Sequence, residues 1–220
     1  MSGETDFLLW VRGPGFVIAV AVFLFGVILR LIEIYGLGRK PDLAPARAHS
    51  PGSGWRTILS RSLPPEGMLR RAPVTYLGGY VFHIGLFIVV LFYIPHIEVI
   101  RGVLQIGWPG LPTPLVDAIT VLSMIALLAV LISRLMDPAK RFLSSFGDYL
   151  AWALTMAPLV TGYMAYHHLL VPYTTMLAVH ILSVEILLVA LPFTKLVHTV
   201  TLFGARWYNG QTAARKGVAS

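Results

Sequence analysis

Apolar positions along this chain gather into long blocks rather than amphipathic stripes. Five blocks, 16–34, 74–94, 115–135, 149–166 and 176–199, are long enough to span a bilayer, whose hydrocarbon core of about 30 Å needs roughly 20 apolar residues in a helix. The pattern predicts an all-α integral membrane protein, a single helix-bundle domain over residues 1–220 with five transmembrane helices. Residues 36–73 form the one long polar segment, rich in Pro, Gly, Ser and Arg. It predicts a mostly irregular loop with a short surface helix over 55–63. The run Trp108-Pro-Gly-Leu-Pro-Thr-Pro114 is turn chemistry that can also wall a shallow interfacial pocket. The connection 167–172 is so short that the fourth and fifth spans must be antiparallel neighbours. A polar tail covers 204–220.

Composition agrees with the pattern: 56% of residues are apolar, 12% are charged, and the mean hydropathy is +0.75. The net charge of +7 would suit nucleic acid, but its placement argues for a membrane. Arg39, Lys40, Arg47, Arg56, Arg61, Arg70 and Arg71 lie in the loop 36–73, which reads as a basic cytoplasmic loop. Arg134, Lys140 and Arg141 follow the third span, and Arg206, Arg215 and Lys216 lie in the tail. Only Arg12 and Arg101 fall on the other side. The positive-inside rule then puts the N-terminus outside and the C-terminus in the cytoplasm, as an odd number of spans requires. The basic loop suits anionic lipid headgroups or a cytoplasmic subunit. The first block follows Glu4 and Asp6 and runs on without a small-residue cleavage site, so it reads as a retained span. The absence of cysteine removes disulfides, thiolate-bound iron–sulfur clusters and covalent haem attachment.

Histidines carry the chemistry. His180 and His198 are 18 residues apart in the last block, which on one continuous helix is five turns and roughly 27 Å. Their imidazoles would point the same way, one near each edge of the membrane. His83 lies inside the second block, toward its start, and His96 lies just past its outer end. That helix runs outward and the last runs inward, so depth pairs His83 with His198 and His96 with His180. The 13 residues between His83 and His96 span about 20 Å. Pro95 is placed to end or kink the helix there. Intramembrane ionisable groups are costly and default to a functional reading. Imidazole is a standard axial ligand of haem iron, so two pairs at two depths point to two haems. Gly78, Gly79 and Gly85 leave room for a macrocycle or serve plain helix packing. His167 and His168 read as residues that close the fourth helix, and His49 as a solvated loop residue.

The last block, H-I-L-S-V-E-I-L-L-V-A-L-P-F-T-K-L-V-H from His180 to His198, resembles the last helix of the nitrate reductase gamma-subunit family of dihaem cytochromes b. Phe82-His83-Ile84-Gly85 resembles that family's first ligand motif. The resemblance covers essentially the whole chain, including the five-helix plan. It implies two haems b: His83 and His198 holding the cytoplasmic-side one, His180 with His96 the outer one. The family's fourth ligand falls ten residues after the first, at Tyr93 here. Either His96, three residues on, takes the role or the outer haem is lost and one remains. The family includes sulfite-reductase-associated and heterodisulfide-reductase-type membrane subunits, and the pairs Asp148-Tyr149 and Thr161-Gly162 resemble these more.

The resemblance further implies a subunit of a respiratory oxidoreductase that oxidises quinol near the outer face and passes electrons to a cytoplasmic iron–sulfur subunit and a catalytic subunit. His96, Arg101 and Asp117 are the candidates for the quinone site, with Glu185 as a proton relay. Two other classes fit an apolar chain with buried histidines: a proton or solute transporter using them as a relay, and a membrane anchor without cofactors.

Overall fold

The structure, a computed structural model, describes residues 2–36, 45–47 and 52–218. Arg39, Lys40 and His49 lie outside the described residues. Every regular element among the described residues is helical. Helix α1 (Ser2–Trp10) continues through a π-helical turn, Val11–Gly15, into α2 (Phe16–Gly36). Two short helices follow, α3 (Ser53–Ser60) and α4 (Met68–Arg71). Then come α5 (Pro73–Phe92), α6 (Ile94–Leu104), α7 (Thr113–Met136) and α8 (Pro138–Phe142). The chain closes with α9 (Phe146–Tyr166), α10 (Tyr173–Ala190) and α11 (His198–Arg215).

Four of these helices are long and apolar enough to cross a membrane: the continuous first helix, α5, α7 and α10. Helix α9 matches them in length, with 21 residues. Its Asp148, Thr155, Pro158 and Thr161 make it less apolar. Large side chains such as Val17, Phe25, Ile84, Phe87, Leu122 and Ile125 point outward. That is costly in water and favourable in hydrocarbon.

The bundle is a chain of neighbours. The first helix packs on α10, α10 on α9, α9 on α7, and α7 on α5. Helices α5 and α10 are not packed along their lengths. Gly78, Phe82 and Gly85 recur at helical spacing on one face of α5 and bury against α7. There Phe82 joins Ala126, Leu127 and Leu159 in the core. A Cβ on Gly78 would lie 3.2 Å from the Ala126 carbonyl oxygen, and one on Gly85 would strike Ser123 Oγ. Helix packing therefore explains Gly78 and Gly85. Gly79, on the other side, has open space where a Cβ would be.

Two prolines shape the helix ends that matter most. Pro95 has no N–H to give the Leu91 carbonyl. Helix α5 stops at Phe92, Tyr93 turns extended (φ −78°, ψ 124°), and α6 starts at Ile94. The freed carbonyls find other donors: Trp108 Nε1 gives to Leu91 O and Leu111 N to Phe92 O. The Trp-Pro-Gly run is thus a cap folded over this break. Pro192 acts likewise in the last block. Helix α10 ends at Ala190, a 3-10 turn covers Leu191–Phe193, Thr194 is extended, and a second 3-10 turn, Lys195–Val197, leads into α11. The expected single helix from His180 to His198 is therefore two helices. Gly26 of α2 makes room for Pro192, and Arg30 Nε donates to the Pro192 carbonyl at 2.9 Å.

The polar loop and tail are also more ordered than their composition predicts. Helix α3 turns Ser53, Gly54 and Thr57 toward α11. A Cβ on Gly210 would lie 2.6 Å from Ser53 O, and the Trp207 ring covers Gly54. Small residues on both sides let two polar helices approach closely, which periodicity of apolar residues cannot reveal.

We predict that Gly85→Leu overpacks the α5–α7 contact and costs about 1–3 kcal/mol. The check is the thermal midpoint in detergent, which should fall well below that of Gly79→Leu, whose side chain meets no neighbour.

Candidate functional site

Four histidines face one another in pairs between α5 and α10, where these helices stand apart. The His83 and His198 ring centroids are 6.2 Å apart. Those of His96 and His180 are also 6.2 Å apart, with the planes only 22° from parallel. The rings expected at matching depth are thus neighbours, although the last block is broken. The break changes how His198 arrives: it opens α11 rather than closing α10.

All four rings use Nδ1 in the same way. Nδ1–H of His83 donates to Gly79 O at 2.7 Å, one turn back on its own helix. Nδ1–H of His96 donates to Val89 O at 2.9 Å, across the Pro95 break. Nδ1–H of His198 donates to Lys195 O at 2.8 Å, inside the second 3-10 turn. At His180 the acceptor is Thr161 Oγ1, 3.3 Å away, whose own proton goes to Ala157 O at 2.8 Å. The three carbonyl acceptors place the proton on Nδ1 and leave the Nε2 lone pair of the neutral ring directed away from the backbone, and the Thr161 hydroxyl suits the same tautomer at His180. Metal-binding histidines show this outer-shell bond almost without exception. Thr161-Gly162 also makes room for the ring, since a Cβ on Gly162 would lie 2.9 Å from His180 Cε1.

The spacing suits a shared metal. An imidazole nitrogen binds a metal at about 2 Å, so two rings on opposite sides of one ion put their centroids about 6 Å apart. Two rings in van der Waals stacking would be closer. Among the described residues, no three His, Asp or Glu side chains converge as they would around a bare ion. A metal that brings its own equatorial ligands, as haem does, fits a two-imidazole site. The residues present therefore fit the group.

Below the first pair lies an ionic brace. Asp148 Oδ2 accepts from Lys195 Nζ at 2.6 Å and from Ser145 N at 2.9 Å. Arg134 Nη1 lies 3.7 Å from Asp148 Oδ1. Because Lys195 O holds His198 Nδ1, this brace fixes the turn that presents His198. The Lys195 ammonium beside it holds the Asp148 carboxyl well below the usual carboxylate range. None of this stands out in sequence, where Asp148 and Lys195 are 47 residues apart.

The expected quinone site is more dispersed. His96 is in the second pair. Arg101 binds Glu98 at 2.9 Å on its own helix. Asp117 binds His167 Nε2 at 2.9 Å. Glu185 is 4% exposed. It faces the π-helical turn of the first helix, where a Cβ on Gly15 would lie 3.1 Å from both carboxyl oxygens. Five residues along a helix rotate a side chain by about 140°, so Glu185 faces the first helix while His180 faces α9. No hydrogen bond or ion pair joins any two of these four. Tyr93 packs its ring on His96 at 5.1 Å, so it adjoins the second pair. His168 stacks on Tyr173 at 5.0 Å and closes α9 in a left-handed conformation (φ 56°).

Fold and site together define an all-helical membrane protein with two imidazole pairs. The chain is 31% identical over 212 residues to a protein of Nitratidesulfovibrio vulgaris strain Hildenborough, covering 94% of this chain and 93% of that one. The two belong to one family. No family model matches the chain, and no solved structure matches it.

The Asp148 brace yields a pH prediction. A depressed carboxyl stabilises the fold in full above the ordinary carboxylate range near pH 4, and that stabilisation is lost as the pH falls through and below it. Asp148→Asn should therefore lower the thermal midpoint in detergent at pH 7. The gap from the wild type should narrow steadily on acidification; a gap unchanged down to pH 3 would contradict the brace.

Proposed function

We propose that this chain is the haem b-bearing membrane subunit of a respiratory oxidoreductase complex. In this reading it spans the membrane five times, with residues 149–166 of α9 as the fourth span, the N-terminus outside and the C-terminus in the cytoplasm. His83 and His198 would hold a haem near the cytoplasmic face, and His96 and His180 a second near the outer face. The observation that carries the reading is the repeated pair geometry: the same 6.2 Å separation twice, with Nδ1 engaged in all four rings. A proton relay gains nothing from imidazoles matched in pairs at two depths, and an anchor needs none.

Bound at these sites, haem supplies reversible one-electron storage. The chain supplies the rest. Backbone carbonyls and Thr161 fix the tautomers and ring orientations. Helices α7 and α9 hold α5 and α10 at a set separation. The apolar outer face keeps the sites in hydrocarbon. Quinol oxidised near the outer face would release its protons there, and its electrons would pass inward to a cytoplasmic iron–sulfur partner and catalytic subunit. The likeness of the His180–His198 segment to nitrate reductase gamma-type cytochromes supports this direction. The basic segments around α3, α4, α8 and α11 suit both the anionic lipid of the cytoplasmic face and the partner that docks there.

The test is haem per chain in protein purified with its partners, with a dithionite-reduced minus oxidised spectrum. Two b haems per chain are expected, and none would end the reading. His198→Ala should remove the cytoplasmic-side haem and leave one. His96→Ala should remove the outer haem, and an unchanged spectrum in that variant would contradict its role as the ligand.

A further inference from the structure

A second histidine arrangement lies beside the second pair and has the opposite tautomer. His167 Nε2–H donates to Asp117 Oδ1 at 2.9 Å. In the neutral ring this leaves Nδ1 of His167 as a lone pair, without a hydrogen-bond partner among the described residues. The two residues are 50 positions apart, one at the start of α7 and one at the end of α9. Both side chains are about one-third exposed or less, 34% for His167 and 27% for Asp117. They are accessible without being freely solvated. A carboxylate that orients an imidazole and stabilises its protonated form makes a general base.

Aromatic rings connect this dyad to the second pair. His167 packs on Tyr163 at 4.3 Å and on Tyr166 at 4.8 Å. Tyr166 meets Tyr93 at 6.4 Å, and Tyr93 meets His96 at 5.1 Å. Leu169 and Leu170, just beyond, are 42% and 86% exposed. A flat aromatic diol with an apolar tail matches this wall in chemistry: rings to stack on, a base for its hydroxyl, apolar surface for its tail.

We infer that the His167–Asp117 dyad is the proton acceptor of a quinol site whose wall is Tyr93, Tyr163 and Tyr166. The inference rests on the proposed role of the His96–His180 pair as the neighbouring redox centre, and deepens it by placing the substrate. Asp117 acts as the positioning residue and Nδ1 of His167 as the base. Oxidation breaks both quinol O–H bonds and forms two carbonyls. The two protons pass in turn through Nδ1 of His167 to water outside. The two electrons would be taken one at a time by the ferric haem that His96 and His180 would hold, the first passing inward before the second arrives. Arg101 and Glu185, bound and buried elsewhere, take no part.

The experiment uses the full chain with Asp117→Asn, Asp117→Glu and His167→Gln. The readouts are the rate of pigment reduction by menadiol, the dithionite-reduced spectrum, and binding of the fluorescent quinol analogue heptyl-hydroxyquinoline N-oxide by quenching. Asp117→Asn and His167→Gln should each slow reduction by menadiol at least about a hundredfold, the low end for loss of a general base. They should weaken the analogue about tenfold, as loss of a charge-assisted hydrogen bond does. The dithionite spectrum should stay intact, and Asp117→Glu should recover part of both losses. Unchanged rate and binding in either variant would overturn the inference. If the wild type carries no haem, the redox reading fails on its own. Binding of the analogue then decides the site: weakening in both variants upholds it, and binding that ignores them ends it.

Discussion

Where a proline stands relative to a histidine is the constraint on which the rest depends. A helix buried in apolar surroundings cannot leave a carbonyl without a donor at small cost. Every proline inside an apolar block therefore obliges the structure to find a substitute. At Pro95 the substitutes are the indole of Trp108 and the amide of Leu111. At Pro192 the helix gives way to 3-10 turns, with Gly26 and Arg30 of α2 supporting the change. Each break lies within six residues of a paired histidine, and each sets where that imidazole ends up. The two segments began with unequal spacing, 13 residues against 18, and the two interruptions reconcile them.

Much of this was legible from the chain alone. The blocks of apolar residues located the first helix, α5, α7 and α10, because length and composition suffice for that. The direction of successive spans was enough to pair His83 with His198 and His96 with His180, since pairing depends on depth and not on helix continuity. The break before His198 was harder. Pro192 was visible, but a proline in a long apolar run can kink a helix or end it, and the support from Gly26 and Arg30 comes from 160 or so positions away. The glycines of α5 show the same limit. Gly78 and Gly85 share a face with Phe82, which only the position of α7 reveals as the packed one.

The chemistry next to the paired rings was the least legible part. Asp148 with Lys195 and Asp117 with His167 are each about 50 residues apart and join different helices. Nothing in local spacing marks them. The expected grouping of Arg101, Asp117 and Glu185 came from shared depth, and depth ignores azimuth. Glu185 is at a plausible level but turned toward the first helix. His167 looked like a helix terminator and is one, yet its ring nitrogen is engaged by an acid from the neighbouring helix α7.

Helix α11 has a further consequence. Its first residue is His198 and, 12 residues later, Gly210 is locked against α3. A helix of that length is a rod of about 18 Å. Whatever grips α3 and the far part of α11 therefore holds the handle of a lever whose tip is an imidazole. A tilt of a few degrees at the handle alters the tip's approach to His83 by a fraction of an ångström, with no rearrangement of the bundle between them. The tilt of α3 and the distance between the His83 and His198 rings are thereby mechanically one variable.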